Sequence, residues 1–254
     1  MIRRPITLED HSAAWLLIAQ PIHARIAYEL AYEWGVPPFA RPQPSKTLLP
    51  TILRHDDGWR EWEARPEVDQ KTGYPYAFTE MPPDVAHRIW EASIFACGDL
   101  GPLSQYLTAA HFIHLCQGGD SATTAEALRF LRDFGGRTDR WLAEWQQAAP
   151  ATNTADVAHL ALGYLRMFDA LSLWICCAGR KEPFEFDTPE GFQVIFTPFP
   201  DGKIHVTPWP WLVPRLEIQL TACIVPARVY TDTDELASVE PNERTLAWSI
   251  IDRL

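Results

Sequence analysis

The sequence contains no Cys-x-x-Cys spacing, and its five cysteines are odd in number. Cys97, Cys116, Cys176, Cys177 and Cys223 therefore read as reduced thiols, with neither a disulfide framework nor a cysteine zinc knuckle. Positive charge is also scarce: 22 Lys and Arg stand against 33 Asp and Glu, a net charge of −11. Nucleic-acid binding needs clustered cations to displace counterions, so nucleic acid is not expected as a partner. No long apolar run is uninterrupted. Ala13 to Ala19 is short and leads into Gln20-Pro21, unlike a secretory leader. Val157 to Ala178 contains His159, Arg166 and Asp169, which argues against a membrane span. There is no Gly-x-Ser-x-Gly elbow, no P-loop and no internal repeat, and Cys176-Cys177 lies in an apolar helix where thiols are inert. These absences leave a cytoplasmic protein that meets a small molecule, with its oligomeric state open.

What is present suits a folded chain: 47% hydrophobic and 22% charged residues over 254 positions. A chain of this length buries roughly 75% of its extended surface on folding. One domain is expected over residues 1–254, in three stretches: a β-hairpin over 1–20, a helical core over 21–180 and a β-rich segment over 181–254. Strands are expected at Ile2–Ile6 and Trp15–Ala19. A helix opens at Pro21, runs to Trp34 and stops at Gly35, with His23, Ile26, Ala27, Leu30 and Trp34 on one face. A second follows Ser45 and ends at Gly58, kinked by or starting at Pro50. Trp59 to Pro83 reads as a long aromatic-rich lid with little regular structure. Further helices are expected at Asp84–Cys97, Leu103–Gln117, Thr123–Phe134, Asp139–Ala148 and Ala155–Ala178, the last closed by Gly179. After Lys181 the period changes to two, giving strands at Phe192–Phe199, Lys203–Thr207 and Leu216–Val225 with an Asp201-Gly202 hairpin turn. The fold class is thus mainly α, with a small antiparallel sheet formed by both chain ends.

The stretch Leu53-Arg54-His55-Asp56-Asp57-Gly58-Trp59 places an imidazole and two carboxylates at the end of the apolar stripe Leu48, Leu49, Ile52, Leu53. An imidazole nitrogen beside a carboxylate oxygen suits a divalent first-row metal. Asp56 continues the inward face, whereas Asp57 is rotated roughly 100° further, toward the helix end or an outer position that orients an imidazole. Asp169 shares a helix face with Leu162, Leu165, Ser172, Leu173 and Cys176. A carboxylate there must be protonated, metal-bound or paired, and Arg166, Tyr164 and buried backbone are the alternative partners. His111 and His114 share a face at a spacing of three. His111 is taken as inward and His114 as a surface residue, though the spacing alone leaves open which faces the site. His11, His87, His159 and His205 are taken as structural or solvated. His23, His55, Asp56 and Asp169 are expected to converge.

The order His23, His55-Asp56, Asp169 on helices resembles the His, His-Asp, Asp pattern of HD-domain metal-dependent phosphohydrolases. More extensively, Trp15 to Arg25, Leu53 to Trp62, Ala110-His111-Phe112 and Met167 to Leu173 resemble the family of unknown function DUF3891. The first resemblance implies an HD-like helical core and a divalent ion (Fe, Mn, Mg or Zn) held by His23, His55, Asp56 and Asp169. It further implies hydrolysis of a small, phosphorylated molecule. Asp57 and His111 would be catalytic, His111 by joining a second metal or donating a proton; Arg25 or Arg54 would face the phosphate, and Trp59, with Trp62, Tyr74 and Tyr76, would wall the pocket. HD-like folds also host iron oxygenases, and the same residues could form a buried polar network without catalysis.

Overall fold

The computed structural model describes residues 1–119, 122–177, 182–240 and 242–252. The sequence boundary placed at Ala178, Gly179 and Lys181 lies outside the described residues. The chain opens with β1 (Ile2–Thr7) and β2 (Ala13–Ile18), then α1 (Gln20–Tyr32), α2 (Ser45–Arg54) and the short α3 (Trp59–Glu63). A two-stranded hairpin follows, β3 (Val68–Asp69) with β4 (Tyr74–Pro75), and then α4 (Pro83–Ala96), α5 (Pro102–Gly118), α6 (Ala125–Ala148) and α7 (Ala155–Cys177). The C-terminal third supplies β5 (Phe184–Asp187), β6 (Gln193–Pro198), β7 (Lys203–Thr207), β8 (Arg215–Pro226), α8 (Thr233–Ala237) and β9 (Asn242–Ile251).

The expectation of a mainly α, all-α-cored protein with a small antiparallel sheet is corrected by this architecture. Among the described residues, seven strands form one sheet in the order β1-β2-β8-β9-β7-β6-β5. The sheet is mixed, because β7 and β9 run parallel while the other pairs are antiparallel. Both chain ends do share it, through the pairing of β2 with β8. Two strands escaped the sequence reading for physical reasons. β9 begins with the exposed polar run Asn-Glu-Arg-Thr, and its inward alternation of Leu246, Trp248 and Ile250 is confined to the second half. β5 alternates correctly but is only four residues long.

The long strand β8 shows what the sheet does. Leu216, Ile218, Leu220 and Ala222 point inward, while Arg215, Glu217, Gln219 and Thr221 face solvent. The inner face joins one continuous core with Ile26 and Leu30 of α1, with Trp34 just beyond that helix, and with Leu165, Phe168 and Leu171 of α7. A smaller cluster, including Phe112, Phe130, Phe134 and Trp141, lies among α4, α5 and α6. α7 is long and apolar enough to cross a membrane, but 67% of its most apolar window is buried inside the protein, as a core helix requires.

Two local expectations also change. Thr123–Phe134 and Asp139–Ala148 are one helix, α6, of 24 residues. Gly135 and Gly136 face open space there, and Ala127, Phe130, Phe134, Thr138 and Trp141 keep one buried stripe in phase across them. Each helical glycine costs about 1 kcal/mol, less than one buried aromatic gains. Pro50 lies within α2, which starts at Ser45 and continues to Arg54. The lid, for its part, is ordered, containing α3, the β3–β4 hairpin and a short 3-10 turn at Phe78–Glu80.

Candidate metal centre

Four helices bring five polar side chains to one place in the core. His23 comes from the first turns of α1, His55 and Asp56 from the turn that ends α2, His111 from α5 and Asp169 from α7. Their exposures are 1%, 0%, 5%, 3% and 7%, so water does little to solvate these charges. Something within the protein must do so.

Hydrogen bonds on the far side of two rings fix how they present themselves. The Nδ1–H of His55 donates to the Ile52 carbonyl at 2.8 Å, since a carbonyl can only accept. Ser172 donates its hydroxyl proton to the Asp169 carbonyl at 2.8 Å, which leaves its oxygen to accept from His23 Nδ1–H at 3.0 Å. Both imidazoles therefore turn Nε2 inward, the arrangement that metal-binding histidines use. Those inward nitrogens meet carboxylates. His23 Nε2 lies 2.7 Å from Asp56 Oδ2, and His55 Nε2 lies 3.3 Å from Asp169 Oδ1 and 3.7 Å from Asp56 Oδ2. His111 Nε2 is 3.5 Å from Asp169 Oδ2, and its Nδ1 is buried without a partner. The His23 and His111 rings each stand edge-on to His55, with centroids 5.5 and 5.7 Å away.

A lone pair pointed at a carboxylate is repulsive unless a cation sits between them, whether a proton or a metal. The electrostatics follow that logic. Burial pulls the His55 pKa down, but Asp56 and Asp169 outweigh it and lift it to about 9. Burial opposes ionisation of Asp56, yet His55 and His23 hold it below its ordinary value. Asp169 is likewise depressed against its burial by His55, His111 and His23. His111 goes the other way: burial dominates and pushes it to about 4, so it is neutral at pH 7.

The donor atoms fit a metal ion. His23, His55 and Asp56 form one group and His55, His111 and Asp169 another, each with ligand atoms within 4.8 Å of one another. Metal–ligand bonds of about 2.0–2.2 Å leave neighbouring donor atoms about 3.0–3.5 Å apart, close to the separations found here. The two groups share His55. This buried His/Asp cluster can hold a metal ion.

The remaining sequence candidates lie elsewhere. Asp57 pairs with Arg54 at 2.9 Å and Arg60 at 2.8 Å, and the imidazoles are oriented by Ile52 and Ser172 instead. Arg54 also binds both carboxylate oxygens of Asp99 and the Ala96 carbonyl, tying α2 to the end of α4. Arg25 is committed to Glu29 and to the Gln219 carbonyl on β8. Trp59 is 2% exposed and packs with Met81 and Ile89, edge-on to Trp62. Tyr74 packs against Trp15. His114 is exposed while His111 is buried. Ser172 and the Ile52 carbonyl were missed as orienting groups; a small polar residue one turn after Asp169 was the available signal for Ser172. Gly58 holds the turn in place by close approach: a Cβ there would meet Ile89 O at 2.2 Å and Ser93 N at 2.5 Å. Its N–H donates to Ser93 Oγ at 3.0 Å.

No curated protein and no solved structure matches this chain. One family, described as a protein of unknown function, matches residues 6–227, a span that includes every member of the cluster. With that match over most of its length, the chain belongs to the DUF3891 family.

Proposed function

We propose that the protein is a metal-dependent hydrolase of a small molecule, with an HD-like centre built from His23, His55, Asp56 and Asp169. The observation that carries this reading is the inward Nε2 of His23 and His55, fixed by Ser172 and Ile52 and facing two buried carboxylates. Two imidazoles among the donors favour a first-row ion such as iron, manganese or zinc over magnesium. Such an ion, when bound, acidifies a water and polarises the scissile group. Asp56 and Asp169 supply the compensating negative charge. His111, neutral because it is buried, accepts or returns a proton at its unpartnered Nδ1. The substrate class follows the HD resemblance, a phosphate ester, and the cellular site is the cytoplasm, where Cys97, Cys116 and Cys176 stay as thiols.

The test is metal analysis of the purified chain, followed by assay of p-nitrophenyl phosphate and bis-p-nitrophenyl phosphate after reconstitution with Fe, Mn, Zn or Mg. The expected result is about one ion per chain and turnover that Asp169→Asn abolishes together with the metal. Absence of stoichiometric binding under every condition would leave a buried polar network and overturn the enzyme reading.

A further inference from the structure

A charged side chain of α7 lies beside the cluster, and the cluster does not use it. Arg166 precedes Asp169 by one turn, and its Nη2 donates to the carbonyl of Ala110, the residue before His111, at 3.1 Å. The guanidinium is thereby held between α5 and α7, next to the His111–Asp169 pair. Asp169 is met by histidines instead, and among the described residues no carboxylate forms an ion pair with Arg166. Its Nε is buried without a partner. Arg166 is half-buried, and its buried Nε–H needs an acceptor.

Beside it lies a cavity of about 310 Å³, lined by Arg166, Met167, Ala170, Phe184, Phe186 and Asp187 among others. Ala170 follows Asp169 on α7 but faces outward about 100° around the helix, so the cavity lies on the outer face of the helix that carries Asp169 inward. Asp187 is on the exposed side of β5, outside ion-pair reach of Arg166. The lining combines one tethered cation with aromatic and aliphatic surface, and the Asp187 carboxylate stands at its solvent-exposed edge. A guanidinium fork pairs with two oxygens of a phosphate or carboxylate, and the phenyl rings suit a flat or aliphatic body.

We propose that this cavity binds an organic oxyanion, a phosphate or carboxylate carried on an aromatic or alkyl body, with Arg166 taking the charged head. The occupant's role as substrate rests on the metal-centre reading; its binding does not. Arg166 then fills the anion-recognition role that Arg25 and Arg54, both committed elsewhere, do not.

The experiment is calorimetric titration of the full chain with phenyl phosphate, benzoate and benzyl alcohol, before and after chelator treatment. Arg166→Gln, Arg166→Lys and Ala170→Trp are run beside the parent, with metal content and Tm recorded for each. One or both anions should bind the parent at least about 10-fold more tightly than the neutral alcohol, and the tighter one names the headgroup. Arg166→Gln should weaken that binding about 10-fold or more, with Arg166→Lys intermediate because it keeps the charge and loses the fork. Ala170→Trp, at an exposed helix position, should block the cavity without unfolding the chain. Equal binding of the alcohol, binding of neither anion, or unchanged binding in Arg166→Gln or Ala170→Trp would overturn the proposal. Arg166-dependent binding in chelated protein supports it even if no metal is ever found. Stoichiometric metal without Arg166-dependent binding overturns it and leaves the metal centre standing.

Discussion

Between Arg54 and Gly58 the chain turns so that adjacent carboxylates face different partners, Asp56 toward His23 and His55 and Asp57 toward Arg54 and Arg60. Asp56→Ala is expected to lose bound metal while Asp57→Ala keeps it, as elemental analysis of both purified variants would show. Ser172→Ala removes the acceptor that fixes the His23 ring. It should weaken metal affinity about 10–100-fold in a competition titration while leaving the fold intact. The pH dependence has a definite sign. In metal-free protein the His55 pKa, raised from 6.5 to about 9, contributes stability in full below pH 6.5 that is lost as pH rises through 9. Asp56 and Asp169 are depressed below 3.8, so their contribution is present above that value and lost on acidification. Metal-free Tm should therefore fall between pH 6.5 and 9 in the parent and stay flatter in His55→Gln. Metal replaces the same proton, so its affinity should rise over that interval with proton release in the titration. The ligand candidates were legible in the sequence because His23, His55, Asp56 and Asp169 interrupt apolar helix faces, where a charge demands an explanation. The Ile52 carbonyl that orients His55 was not, since every residue has a carbonyl and none announces its partner.

Gly58 shows how one element positions another. The turn after Asp56 lies against α4 so closely that a Cβ would strike the backbone of Ile89 and Ser93, which no side-chain rotation relieves. Gly58→Ala should cost about 1–3 kcal/mol in denaturant titration and lower metal occupancy, because Asp56 lies two residues upstream. Loss of stability with full metal occupancy would show that the turn and the centre are independent. At this scale the helices α1, α4, α5 and α7 were readable from 3.6-residue periodicity and from proline and glycine at their ends. The fusion of two expected helices into α6 was not, since glycine carries a breaking propensity that only tertiary burial of Phe130, Phe134 and Trp141 overrides. Strand β9 was unreadable for a different reason: its first four residues are polar and exposed, and the core-facing Leu246, Trp248 and Ile250 occupy only its second half.

In the whole molecule, the helical layer is joined to the sheet side by Trp34 and Trp211. Their backbones form an isolated antiparallel bridge, their rings meet edge-on at 5.6 Å, and the Trp211 indole N–H donates to the Leu30 carbonyl at 2.9 Å. Trp211→Ala should cost about 3–5 kcal/mol in equilibrium unfolding, through lost burial and an orphaned carbonyl. A cost below about 1 kcal/mol would mean that the two layers hold together without it. The spread of the cluster along the chain has a separate consequence for assembly. His23 and Asp56 are 33 positions apart and His55 and Asp169 are 114. An ion bound to all of them acts as a reversible cross-link that closes both loops at once, and the entropy of loop closure grows only slowly with length. Most of the ordering needed to bind the ion is thus supplied by folding of the helices, so the nascent chain cannot capture it tightly until α7 has been made. Metal should raise Tm in proportion to the logarithm of its free concentration above Kd, and its release should coincide with global unfolding instead of preceding it.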